Sequence, residues 1–121
     1  AGLCMWGAKG LPVDAISENL AAVTGWEYSR EELLKVGERV ACVCQAFNVR
    51  EGLRPADFKL PPRIAGEPPL TEGPNANVTI PVESMTMEFF EAMDWDYETG
   101  KPSKKKLLEL GLEEIAEELW P

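Results

Sequence analysis

The sequence contains no histidine. That removes the usual general base near neutral pH and the commonest nitrogen ligand for a metal. A Ser-His-Asp or Cys-His hydrolase is therefore excluded within this chain. Cysteine is scarce and odd in number, three residues at positions 4, 42 and 44, so a complete disulfide framework is not on offer. A reducing, cytoplasmic setting is the simplest reading. Cations are also in short supply: 12 Lys and Arg against 21 Asp and Glu leave a net charge of −9 and a pI near 4.5. Nucleic acid is not expected as a partner, because phosphate neutralisation needs clustered cations. No apolar run approaches the roughly 20 residues of a membrane span, so no membrane partner is expected either. The opening residues lack the long apolar region of a secretion signal.

What is present is enough for a core. Hydrophobic residues make up 45% of the 121, with four Trp and four Phe, so wholesale disorder is not expected. The length suits one compact domain or part of a larger one. The first residues, Ala1-Gly2-Leu3-Cys4-Met5-Trp6-Gly7, are apolar and glycine-flanked and resemble the middle of a chain more than a frayed start.

The organising stretch runs from Ser29 to Gly52 and predicts one long amphipathic helix. Ser29 followed by Glu32 makes a capping box. Leu33, Gly37, Val40, Cys44 and Phe47 recur at helical spacing as one face, widened by Leu34, Ala41 and Asn48. Gly52 is a natural stop. At ~1.5 Å per residue the helix reaches on the order of 33 Å. If that face is the buried one, Val40→Asp should be severely destabilising. Before it, Asp14 to Thr24 predicts a shorter helix capped by Asp14 and stopped by Gly25. The short link to Ser29 predicts an antiparallel αα-hairpin.

From Leu53 to Pro81 lie seven of the ten prolines, which neither a helix nor a central strand can accommodate. Leu53, Phe58, Leu60, Ile64 and Leu70 are spaced as anchors, so a rigid surface belt is preferred to a free linker. Val78 to Ile80 suggests a brief strand-like contact. Helix resumes at roughly Glu83 to Asp94, in a short segment capped by Ser103 and stopped by Gly111, and again at roughly Glu113 to Leu119. The expected fold class is all-α: an antiparallel helical hairpin with a long central helix (residues 1–54), a Pro-rich irregular belt (55–82) and short terminal helices (83–121), together a single domain.

Several segments together carry a resemblance. They are Thr24-Gly25-Trp26, Ser29-Arg30-Glu31-Glu32-Leu33-Leu34, Gly37-Glu38-Arg39-Val40, Phe47-Asn48-Val49-Arg50-Glu51-Gly52, Leu60-Pro61-Pro62-Arg63, the Trp95 to Pro102 turn and Gly111-Leu112. In order and spacing they resemble the C-terminal region of the aldehyde ferredoxin oxidoreductases, the tungsten-pterin enzymes. Gly2-Leu3-Cys4 is similar to the end of that family's Asp-x-x-Gly-Leu-Cys motif, whose aspartate would precede residue 1. The resemblance implies an enzyme that oxidises aldehydes to carboxylic acids at a tungsten (or molybdenum) bis-pterin centre. Electrons would pass through a [4Fe–4S] cluster to ferredoxin. It further implies that Cys4 is a cluster ligand, that Gly2, Leu3 and Cys4 adjoin the pterin, and that the N-terminal catalytic portion of the same parent chain is the partner.

Ligand counting limits what this chain does by itself. A cluster takes four thiolates, and Cys42 and Cys44 sit about 200° apart on their helix, so they do not face each other. They read as ordinary core or boundary residues. No catalytic residue is assigned, and the isolated chain is expected to hold neither cofactor. Gly37 is explained by close approach of a neighbouring helix, or by a cofactor contact. Arg39, Asn48 and Arg50 either solvate their own helix or line an interface with the catalytic portion. The run Lys104-Lys105-Lys106 is either a solvated turn or a docking patch for an acidic ferredoxin. A second reading, an independent helical scaffold or interaction module without activity, stays open beside the enzyme.

Overall fold

The computed structural model describes residues 4–121. Its regular structure is helical: α1 (Met5–Ala8), α2 (Val13–Thr24), α3 (Arg30–Arg50), a 3-10 turn (Pro55–Asp57), α4 (Pro62–Ala65), α5 (Val82–Met93), α6 (Lys104–Glu109) and α7 (Glu113–Leu119). Among the described residues there is no strand, only the isolated bridges Leu70 to Ala76 and Trp95 to Pro102. The all-α expectation holds.

α3 begins and ends as its sequence dictates. The Ser29 N–H donates to the Glu32 carboxylate at 2.7 Å, and the Glu32 N–H donates back to Ser29 Oγ at 3.1 Å, completing the capping box. At the other end Gly52 takes φ +85°. The Gly52 N–H reaches the Val49 carbonyl and the Leu53 N–H the Asn48 carbonyl, both at 3.0 Å. This is the Schellman closure, which needs a left-handed residue where glycine carries no Cβ penalty.

The chain divides into two units, one ending at Val40 and one running from Ala41 to Pro121. In the first unit, Ser17 alone is buried among the described side chains. α2 starts one residue earlier than expected, with Pro12 at the N-cap position and Asp14 inside the first turn. Its stop is the expected one, Gly25 at φ +73°. The hairpin is not found as a packed pair, since among the described residues only α6 and α7 make extended contact. The link from Gly25 to Ser29 is non-helical, with Trp26 and Tyr28 set against each other at 6.0 Å. Val23, near the end of α2, is 86% exposed.

The second unit holds the core: Cys42 and Ala46 of α3, Met93 closing α5, Leu107 and Leu110 around α6, and Ala116 and Leu119 of α7. This corrects the assignment of faces on α3. The buried side carries Cys42 and Ala46, flanked by half-buried Ala41 and Val49. The predicted stripe lies on the opposite side, with Val40 59% and Phe47 55% exposed. Both sides are apolar, and periodicity cannot say which one the rest of the chain covers.

The belt is ordered by backbone rather than by its large apolar residues. Leu53, Phe58, Leu60, Ile64 and Leu70 are all exposed; the buried residue is Ala65. The Ala65 carbonyl accepts the Ile80 N–H at 2.8 Å, but Val78 to Ile80 form no strand or bridge. Beside it Gly66 lies so close that a Cβ would fall 2.4 Å from the Val78 carbonyl oxygen. A second clamp joins Gly100 to α3: Gln45 Nε2 donates to the Gly100 carbonyl at 2.9 Å.

Candidate functional site

Cys4 is exposed, a free thiol at the N-cap position of α1 with extended backbone (φ −74°, ψ 123°). Its carbonyl accepts the Ala8 N–H at 2.9 Å, which fixes the main chain that carries the thiol. Gly7 sits beside it; a Cβ there would lie 3.7 Å from that of Cys4. Gly2 and Leu3, the other two expected cofactor-contacting residues, lie outside the described residues.

Cys42 is fully buried, and its Sγ accepts the Trp95 Nε1–H at 3.4 Å. Cys44, two residues on, is exposed. One thiol is part of the core and the other points away from it, as their angular separation requires. Among the described residues no group of three or more Cys, Asp or Glu is placed to hold a metal ion. Among the described residues Cys4 is thus an exposed thiol donor that stands apart from any such group.

The second candidate is an open cleft of about 1030 Å³ between the belt and the start of α5. Phe58, Leu60, Ile80 and Tyr97 give it apolar walls, and Glu67, Glu83, Glu98 and Lys59 stand among them. The nearby hydroxyls are engaged with backbone: Ser84 Oγ donates to the Pro81 carbonyl and Thr86 Oγ1 to that of Val82. Among the described lining residues no nucleophile is seen paired with a base. Sequence reasoning did not find the cleft, because its walls come from four separate segments of the chain.

The lysine run forms the first turn of α6, with Lys104 and Lys105 exposed to solvent as the solvated reading expects. Lys104 Nζ donates to the Trp120 carbonyl at 3.0 Å, and Lys101 Nζ donates to the Leu119 carbonyl at 3.1 Å while standing 4.8 Å from the centre of the Trp120 ring. Trp120 Nε1 in turn donates to the Pro102 carbonyl at 3.0 Å. Lys105 faces Glu109 at 3.7 Å. Two of these cations thus serve the carboxyl end of α7, where the helix dipole favours positive charge. Arg50, one of the three interface candidates on α3, lies over the Phe47 ring at 4.9 Å and pairs with Glu51 at 3.2 Å.

Two carboxylates have shifted titration. The Glu32 carboxyl is held below its ordinary range by the Ser29 N–H and then the Ser29 hydroxyl. Asp96 is lowered by the Thr99 hydroxyl and N–H, which close a turn on it. Both shifts come from local capping and turn hydrogen bonds, not from a reaction centre.

Comparison with known proteins adds a match over residues 1–112 to the family described as aldehyde ferredoxin oxidoreductase, domains 2 and 3. Three curated relatives are tungsten-containing aldehyde ferredoxin oxidoreductases. The one from Pyrococcus furiosus is 40% identical over 116 residues, that from Pyrococcus abyssi 37% over 115, and that from Thermococcus kodakarensis 35% over 115. Each match covers 95% of this chain and 19% of the relative.

Proposed function

Because the chain belongs to the aldehyde ferredoxin oxidoreductase family, we propose that it forms the C-terminal portion of an enzyme that oxidises aldehydes to carboxylic acids and delivers the electrons to ferredoxin. The observation that carries this reading is Cys4. It is an exposed thiol at the end of Gly2-Leu3-Cys4, inside a match that spans nearly the whole chain. The parent's cofactors would be a tungsten (or molybdenum) bis-pterin for the two-electron oxidation and a [4Fe–4S] cluster for one-electron transfer onward.

This chain's own residues take supporting parts. The Cys4 thiolate would hold one iron of the cluster. By the family's motif, Gly2, Leu3 and Cys4 would adjoin the pterin. The core of the second unit supplies a helical shell. The N-terminal catalytic portion contributes the other three thiolates and the acid–base groups, which explains how a chain with no histidine takes part in redox catalysis.

The test uses the full reading frame that contains these codons, expressed and purified without oxygen. Cys4→Ser should remove the cluster's visible absorption and about four irons per chain, with loss of aldehyde-dependent viologen reduction. Retention of a full cluster and activity in Cys4→Ser would refute the assignment of the ligand. An upstream frame without three further cysteines would favour the inactive helical module instead.

A further inference from the structure

Helix α3 has two apolar sides and this chain covers one of them. Cys42 and Ala46 face the core. Around the opposite side stand Leu33, Gly37, Val40, Val43, Cys44 and Phe47, with Val40, Val43 and Phe47 41–59% exposed. These are residues of one unbroken helix, and at ~1.5 Å per residue the stripe is about 21 Å long. A contiguous apolar strip of that length on a soluble surface marks an interaction site.

Gly37 lies within the stripe. It is the residue a helix interior tolerates least after proline, and it has no left-handed backbone to justify it. A Cβ at this position would meet nothing within 4 Å. Neither conformation nor space inside the chain calls for glycine there. The remaining physical reason is the approach of something outside it, close enough that a side chain would be in the way.

We infer that the exposed stripe of α3 is the seat of an apolar helix from the four fifths of the enzyme that lie outside this chain, with one of its side chains lodged over Gly37. This rests on the reading of the chain as a C-terminal portion, since the matched relatives extend far beyond it. A second copy of the chain is the poorer occupant: at net charge −9 two copies repel each other. A small residue ringed by larger apolar ones is what helix-on-helix packing uses to bring axes together.

Cys44, exposed between Val40 and Phe47, is a natural probe of coverage. Its alkylation by a maleimide is followed by peptide mass mapping, in the 121-residue chain and in the full-length enzyme. The expected result is rapid labelling in the short chain at every protein concentration, and labelling at least tenfold slower in the full-length enzyme. Gly37→Leu should leave the short chain helical and restore fast Cys44 labelling in the full-length enzyme. Gly37→Ala should do so in part, which covers the case of a full-length leucine variant that fails to fold. Equal Cys44 rates in the two unmodified proteins would overturn the inference while leaving the family reading intact. Protection that grows with concentration of the short chain would overturn it in favour of self-association. A reading frame that does not extend beyond this chain would remove both.

Discussion

The two faces of α3 can be set against each other with a single charge. Ala46 is 5% exposed within the core formed by Cys42, Met93, Leu107, Leu110, Ala116 and Leu119. An aspartate there enters a site with no cation among those neighbours. An unpaired charge in such surroundings costs about 3–5 kcal/mol, whether met by desolvation or by taking up a proton. Against a total stability of roughly 5–15 kcal/mol that is a large share, and at about 3–6 °C per kcal/mol the midpoint should fall by on the order of 10–25 °C. Val40→Asp places the same charge on the 59% exposed side. There the cost is helix propensity plus partial loss of contact, about 0.5–1 kcal/mol. Urea titration of the 121-residue chain, followed by circular dichroism at 222 nm, measures both variants. If Val40→Asp proves the more damaging of the two, the assignment of faces is wrong.

Gly37→Ala should stabilise the isolated chain by about 1 kcal/mol, because the added methyl meets no neighbour and the helix loses its most flexible residue; the same urea titration reads it. Ser29→Ala should cost about 1 kcal/mol through loss of the cap. With the Glu32 carboxyl held below its ordinary range in the folded chain, its contribution is present above the unfolded value and lost as pH falls through the folded one. The protection of first-turn amides of α3, taken relative to their intrinsic exchange rate at each pH, should therefore fall on acidification below about pH 5, and Ser29→Ala should flatten that dependence. Gly66→Ala should be destabilising by about 1–3 kcal/mol: φ is +80° and the new Cβ would sit 2.4 Å from the Val78 carbonyl oxygen. An unchanged melting temperature for Gly66→Ala would show that the belt does not depend on that contact.

Apart from Asp14, which lies inside the first turn of α2 rather than capping it, local signals in the sequence were legible, because capping and stopping depend on neighbours in the chain. Ser29 with Glu32, Gly25, Gly52 and Ser103 all act where their spacing placed them. Asp94 was expected inside a helix but closes α5 at φ +54°, a place usually given to glycine; its carboxylate accepts the Ser103 hydroxyl. Burial was less legible. Val40 and Cys42 are both apolar residues of one helix, and the chain's own packing decides between them. The belt misled for a related reason: Phe58 and Ile64 look like anchors by size, whereas Ala65, Gly66 and Gly100 hold the segment by letting backbone come close. Lys104 was read only as part of a three-lysine run, yet with Lys101 it acts on the end of α7, a relation that no local window contains. Cys4 was legible as a candidate ligand only through the motif it ends.

The belt also has a kinetic side. The core of the second unit joins Ala46 to Met93, and the chain between them must be brought back on itself before those residues touch. The entropy lost in closing such a loop rises with the logarithm of its length, and it falls when the unfolded segment is already stiff. Each of the seven prolines from Pro55 to Pro81 confines one backbone angle before folding begins, so the open chain has fewer conformations to give up. α6 and α7 can pair early, being neighbours in sequence. What then limits assembly of the core is the return of α3 to them, and prolines that make this segment useless as a helix make that return less improbable.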